Sequence, residues 1–392
     1  MRIGVDASCW GNRRGFGRFT RELFFALLEL DKSNDYVFFV DSEMSDAYDI
    51  PSGVEKIVAK TQQAQIEAAS AGGRRSLQDI WSMTREVLRH RVDVFFFPAV
   101  YSYFPILNRT KIVLTIHDVI ADHHPELVFP DRRSKYFWKL KQNLAIKQAN
   151  VIATVSEHSK NEIADYFRIN ESKIRVIPEA ASSVFQKIPQ DRMFFSTLSK
   201  HGLTPEQRFL LYVGGISPHK NLGTLIDAFK LILDRDSNHD IKLVLVGDYT
   251  DDPFYSAYPT LKKQIDDLEL QGSVLFTGFI TDEDLVCLYN SATLLVFPSL
   301  EEGFGLPAIE AMACGTPIAA STYGSLPEIV AGAGRFFDPT SAAGMADVIG
   351  DVLSNESVRA EMIRSGMERS KEYCWKKAAD ETLGIFNSLG PR

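Results

Sequence analysis

Cysteine is scarce in this chain: Cys9, Cys287, Cys314 and Cys374 are the only four in 392 residues, and no two form a Cys-x-x-Cys pair. A disulfide framework or a zinc knuckle needs more thiols or closer ones, so these read as small reduced hydrophobes of a cytosolic protein. An excess of basic residues is missing too. The formal charge is −8 and the isoelectric point near 5.6, which argues against a nucleic-acid partner, because such proteins usually carry a basic face. Long hydrophobic runs are also lacking. The most apolar window, 92–107, is broken by Asp93, Pro98, Ser102 and Pro105 and is too short to cross a bilayer. Met1-Arg2 leads directly into a strand-like Ile3-Gly4-Val5-Asp6, so no signal peptide is expected. The expectation is a cytoplasmic protein, soluble or at most peripheral to a membrane.

What is present is a repeated alternation. Short apolar runs that end in Gly, Asp, Ser or Pro fall at 2–6, 36–40, 92–97, 111–116, 150–155 and 173–177, then at 209–213, 241–246, 273–276, 293–297 and 317–320. Each is followed by a helix-like segment. Continuous Val/Ile/Leu/Phe strands alternating with helices predict parallel sheets covered on both faces. The length suits two doubly wound α/β domains, each able to bury its own core. The segment 186–207 carries Pro189 and Pro205 without a clear strand, so the linker is expected there. Ligands of open α/β sheets bind at the carboxyl ends of strands, and that is where the chemistry-bearing residues should lie.

The most informative stretch is 299–317, SLEEGFGLPAIEAMACGTP. Two carboxylates, Glu302 and Glu310, are separated by seven residues among glycines and a proline that control the backbone. Gly303 and Gly305 permit positive φ and close approach of a ligand. Pro307 suits a helix start, and Gly315 with Pro317 its end. The spacing predicts a helix over 307–314 with Glu310 in its first turn and Glu302 in the loop before it. Free amide hydrogens at such a start attract phosphate or sugar oxygens.

Other strand ends offer further candidates. Gly11-Asn12-Arg13-Arg14-Gly15-Phe16-Gly17-Arg18 precedes a helix and is either a phosphate-cradling loop or merely a flexible turn. A dinucleotide fingerprint needs a third glycine where this chain has Thr20. His117 follows the strand at 111–116, as a ligand-contacting group or a hydrogen-bonded structural one. Lys220 follows the strand at 209–213, with Asn221 a suitable N-cap for the next helix. Asp122-His123-His124 spells a manganese phosphoesterase motif, but no matching set of aspartates accompanies it, and no metal site is expected. Arg132, Arg133, Lys135, Lys139, Lys141 and Lys147 share a helix-like segment with Tyr136, Phe137 and Trp138. Such a segment about 131–147 is either an ordinary domain helix or a contact for anionic lipid. The polar stretch 61–75 reads as a binding loop or a mobile connection.

The string from Ser299 to Pro317 resembles the E-x7-E signature of the retaining GT-B glycosyltransferases of family 4, with Gly303-Phe304-Gly305-Leu306-Pro307 and Cys314-Gly315-Thr316-Pro317 in their expected places. The resemblance implies two Rossmann-like domains facing across a cleft. An acceptor-side domain would span 1–190, a nucleotide-sugar-binding domain 205–374, and a last helix, about 375–392, would pack back on the first. It implies transfer of a hexose from a nucleotide sugar (GDP-mannose or UDP-hexose) to an acceptor hydroxyl, such as that of a lipid-linked glycan, in bacterial polysaccharide synthesis. No metal or other cofactor is required. Glu302, His117 and Lys220 are implied as catalytic. Gly17, Gly215, Lys220, Glu302, Gly303, Phe304, Gly305, Leu306 and Glu310 are implied to bind the donor, Lys220 at the diphosphate and Glu310 at the ribose. One departure stands out: many family members carry arginine where this chain has Gly215, and His219 or an arginine of the first glycine loop is the candidate substitute. That departure keeps a binding-only partner subunit open as a rival, and the parallel sheets alone also admit a dinucleotide-dependent oxidoreductase.

Overall fold

Runs of Val, Ile, Leu and Phe that are apolar on both faces form parallel strands in the computed structural model, which describes residues 1–12, 15–41, 50–61, 76–129, 131–235, 240–249 and 256–390. The chain divides into two units, Met1–Glu179 with Trp375–Arg392, and Ala180–Cys374. The predicted α/β class and paired doubly wound sheets are what the structure shows. The interdomain linker expected over 186–207 differs: the division falls at Glu179/Ala180, and a helix, Arg192–Lys200, occupies the expected linker. Asp191 caps that helix by accepting from the amides of Met193 and Phe194, so a proline-flanked polar stretch was stabilised locally rather than left extended.

The first unit holds β1 (Arg2–Asp6), β2 (Asp35–Asp41), β3 (Glu55–Ala59), β4 (Val94–Phe97), β5 (Lys111–Thr115), β6 (Val151–Thr154) and β7 (Ile174–Val176). They form one sheet in the order β3-β2-β1-β4-β5-β6-β7, and every pairing is parallel. All four residues of β4 are buried, as expected for a strand covered by helices on both faces. Helix Gly15–Leu30 covers one face with Phe19, Leu23, Phe24 and Leu27 buried. The helix Trp375–Leu389 completes the same core: Phe386 is fully buried with its ring 5.8 Å from Phe96, and Trp375 lies 6.2 Å from Phe19.

The second unit holds β8 (Phe209–Val213), β9 (Lys242–Val246), β10 (Val274–Gly278), β11 (Leu294–Phe297), β12 (Ile318–Ser321) and β13 (Arg335–Phe337). Their order is β10-β9-β8-β11-β12-β13, again all parallel. Both sheets start in the middle and are wound outward in two directions. The order reverses between β1 and β4 in the first unit and between β8 and β11 in the second, and a crevice opens at such a switch point beyond the carboxyl ends of the strands.

Replacing a buried aromatic by alanine typically costs about 3–5 kcal/mol. Phe386→Ala is therefore expected to lower the thermal unfolding temperature followed by circular dichroism. A melting curve superimposable on the parent's would show that the terminal helix contributes nothing to the first unit's core.

Candidate active site

In the second unit the switch point is framed by two loops. After β8 the chain passes through Gly214 (φ 154) and Gly215 to a 3₁₀ turn, Pro218–Lys220. After β11 it continues through Ser299 to Glu302. The loops are tied together by Leu300 N donating to His219 O at 2.9 Å. Asn221 adds a second tie, its side-chain amide donating to the carbonyls of Pro298 (3.2 Å) and Pro339 (2.7 Å). Asn221 stands at the helix start as expected, but in the left-handed region (φ 59), with its side-chain oxygen accepting from the Thr224 hydroxyl. It is a clamp between loops more than a simple cap.

This frame brings together two of the residues singled out in sequence. Lys220 Nζ donates to Glu302 Oε2 at 2.6 Å, and both side chains are largely enclosed, 14% and 15% exposed. Beneath them the buried Tyr212 hydroxyl donates to the Gly215 carbonyl at 2.8 Å. Burial, and then the charge of Glu302, push the Tyr212 phenol far above its ordinary range, so it stays a neutral donor that pins the glycine turn. A Cβ on Gly247 would meet Gly214 O at 2.0 Å, which keeps the β8 and β9 loop ends in close contact. At Gly215, where arginine was absent, the backbone is held from below. His219 nearby has its Nδ1 3.3 Å from the Ser217 hydroxyl.

The glycine-rich loop behaves as expected in part. Gly305 (φ 100) enters the helix Leu306–Cys314 and Gly315 (φ 77) leaves it. Gly303, Phe304 and Leu306 are buried; Phe304 is held through its carbonyl by the Ser325 hydroxyl at 2.8 Å, and its ring lies 5.6 Å from Tyr373. Gly324 (φ 66) permits the turn after β12 to pass close by, since a Cβ there would sit 2.7 Å from Glu302 N. Glu310 departs from expectation. The helix begins at Leu306, one residue early, so Glu310 falls in its second turn rather than its first. There it is 2% exposed and accepts from the Tyr289 hydroxyl at 3.0 Å. Tyr289 is fixed in turn by Thr316, whose hydroxyl donates to the Tyr289 carbonyl at 2.6 Å. Sequence reasoning missed Tyr212 and Tyr289, because a buried tyrosine in an apolar run looks like core.

In the first unit His117 lies just past β5, beside the β1/β4 switch point. Its Nε2 is 2.9 Å from the Pro98 carbonyl, and its Nδ1 is 3.6 Å from Glu179 Oε1. Glu179 was not foreseen. Gly17 lies within the helix Gly15–Leu30 rather than in the loop before it, and a Cβ on it would meet Asn12 O at 2.0 Å. Its glycine is thus required by close packing of helix on loop. Arg13 and Arg14, and the candidate loop at 61–75 apart from Thr61, lie outside the described residues. Asp122, His123 and His124 diverge: Asp122 accepts from Trp138 Nε1 (3.1 Å) and Gln142 Nε2 (2.8 Å), while His123 faces Glu162 and His124 faces Glu126. Among the described residues no cluster of three or more His, Cys, Asp or Glu is arranged to hold a metal ion.

Two doubly wound parallel sheets with charged groups at their switch points define a protein of the GT-B class. Comparison with known proteins gives the family. Residues 36–181 match the model of Glycosyltransferase Family 4, and residues 195–369 match that of Glycosyl transferases group 1. O-antigen chain mannosyltransferase B of Escherichia coli is 31% identical over 282 residues, covering 71% of each chain. The fold is similar to that of sucrose-phosphate synthase from Thermosynechococcus elongatus (TM-score 0.76, 18% identity, 99% of each chain). It is also similar to HepE from Anabaena solved with UDP-glucose (TM-score 0.73, 17% identity, 99% of each chain). The chain belongs to the group 1 glycosyltransferases of family 4. It is a glycosyltransferase, and the oxidoreductase and binding-only readings fall away.

Forcing a methyl group into a filled site typically costs about 1–3 kcal/mol. Gly17→Ala should therefore lower the melting temperature of the protein without any donor present. If it left stability unchanged while weakening donor binding, Gly17 would be a ligand contact and not a packing residue.

Proposed function

We propose that the protein moves a hexose, mannose foremost, from a nucleoside diphosphate sugar to a hydroxyl of a growing bacterial polysaccharide, with retention and without a metal ion. The observation that carries this reading is the Lys220–Glu302 pair at the switch point of the second sheet, with Glu310 on the adjoining helix. A nucleoside diphosphate brings negative charge to a place where Lys220 is already held. The reading of the sugar and acceptor is supported by the E. coli relative, named as an O-antigen chain mannosyltransferase, and the nucleotide sugar by the HepE complex with UDP-glucose.

The chemistry follows from these groups. The bond from the anomeric carbon to the donor phosphate breaks, and its electron pair leaves with the diphosphate. The acceptor oxygen forms its bond on the same face, and its proton passes to the departing phosphate. Lys220 stabilises the charge developing on that phosphate as a fixed cation in a partly dry site. Glu302 orients the sugar and opposes positive charge at the anomeric carbon. Glu310 accepts from the ribose hydroxyls with its carboxylate oriented by Tyr289.

The enzyme would work in the cytoplasm, peripheral to the membrane. Helix Arg132–Gln148 supports that placement. Trp138 and Gln142 face inward, whereas Tyr136 and Phe137 are 66% and 65% exposed and Leu140 and Leu144 also face solvent. Arg132, Arg133, Lys139 and Lys147 are exposed on the same helix. Aromatic and basic groups on one surface helix suit anionic lipid. No described helix is long and apolar enough to cross a membrane.

A panel of UDP-, GDP- and ADP-sugars, each with and without EDTA, should show release of one nucleotide that EDTA does not diminish; release abolished by EDTA and restored by a divalent cation would overturn metal-free transfer. Lys220→Ala is expected to lower turnover by roughly 10²–10³, the usual effect of losing one such donor. Glu310→Gln should instead raise the donor KM about ten- to a hundredfold, the equivalent of one charged hydrogen bond. Sedimentation with phosphatidylglycerol vesicles should weaken in a Tyr136→Ala/Phe137→Ala variant, and undiminished binding would remove that helix as the contact.

A further inference from the structure

His117 presents an unusual pairing problem. The Pro98 carbonyl, 2.9 Å from Nε2, is an acceptor only, so Nε2 must carry a proton. A neutral ring would then turn the bare lone pair of Nδ1 toward Glu179 Oε1, 3.6 Å away. Two acceptors on the two sides of one imidazole are satisfied together when both nitrogens are protonated. The side chains are only 13% and 6% exposed, so both are largely withdrawn from bulk solvent. The elements around the ring are consistent with a cation. Helix Gly15–Leu30 contributes Phe19, packed edge-to-face at a centroid separation of 5.0 Å; the loop after β4 contributes the Pro98 carbonyl; the segment after β7 contributes Glu179; and the ring's own loop contributes Asp118. Burial alone favours the neutral ring, but Glu179, the Pro98 carbonyl and Asp118 together outweigh it and raise His117 above the ordinary histidine range.

We propose that Glu179 is a positioning residue that keeps His117 as a doubly protonated, fixed cation with both ring nitrogens committed inside the first unit. The proposal rests on the transferase reading for its use but not for its test. In that reaction His117 acts as a fixed positive charge at the carboxyl edge of the first sheet. It does not serve as a base, because it has no free lone pair to accept a proton. Glu179 would complete the pair, so the site gains a cation without gaining net charge in a dry environment. The sign of the pH effect follows. A folded-state value raised above the unfolded one adds stability that is fully present below the ordinary histidine range and is lost as pH rises through the folded value.

The test is nitrogen-15 NMR of the full-length protein with labelled histidine, the His117 signals being assigned by their loss in His117→Gln. In the parent, both His117 ring nitrogens should show protonated shifts at pH 7, and the ring should titrate above the ordinary histidine range. In Glu179→Gln the titration should move down toward the ordinary range, and Glu179→Asp should restore part of the shift. With the donor identified by the panel, the alkaline limb of kcat/KM should move to lower pH in Glu179→Gln, a change that a merely structural residue would not produce if the melting temperature is retained. A neutral His117 at pH 7 in the parent, or an unchanged titration in a folded Glu179→Gln, overturns the proposal. Because the NMR needs no donor, a protonated His117 in a protein that cleaves none of the sugars would leave this inference standing and bring down the transferase substrate reading alone.

Discussion

A parallel sheet wound outward from its middle has connections that leave in opposite directions, and nothing fills the gap where they part. In the second unit that gap is between β8 and β11, and the features of the site follow from it. The two loops that flank it are short and rich in glycine, since the chain must turn at once to reach opposite faces of the sheet. Gly214 and Gly305 take backbone conformations that side chains resist. Gly247 is instead required by contact, against the Gly214 carbonyl, and Gly324 by both, with φ 66 and the Glu302 amide close by. Glycine here has two separate physical tasks, and only the first is visible as a sequence motif.

Into this gap the two loops direct one cation and one anion. Lys220 and Glu302 are held at 2.6 Å in a mostly enclosed setting. Removing one partner of such a pair leaves the other charged and poorly solvated, which is costly. The pair therefore holds Lys220 in place, so that on the proposed function a diphosphate would meet a cation that is already ordered. The underlying layer serves the same end. Tyr212 stays protonated because burial and Glu302 oppose its ionisation, and its hydroxyl fixes the Gly215 carbonyl. A family arginine is absent at that position, and the turn is supported from inside the sheet.

Much of the scaffold was legible because both-face burial leaves long apolar strands, such as the all-buried β4 and β8. The edges were not. β3, with exposed Glu55 and Lys56 beside buried Ile57, and β13, only three residues long, carry too little apolar pattern to be seen. At the site, residues in a local string were found: Glu302, Glu310, Lys220 and the helix that follows Gly305. Partners brought by the sheet from distant sequence were missed, because Glu179 opposite His117 and Tyr289 opposite Glu310 have no local pattern. The offset of Glu310 by one residue along its helix has a local origin. Pro307 marks a helix start, but the helix begins a residue before it, at Leu306, directly after Gly305, whose φ fixes the entry.

The two units solve one electrostatic problem in the same way. On the proposed function, a chain of formal charge −8 would repel an anionic donor at long range, so recognition would rest on local cations that are desolvated in advance. A lone cation in such a site would be unstable or would lose its proton. A carboxylate beside it keeps the charge in place, as Glu302 does for Lys220 and, on the proposal made for the first unit, as Glu179 does for His117. The carboxylate is therefore as necessary to the positive site as the cation it faces, and its position at a strand end is set by the sheet order and not by its sequence neighbours.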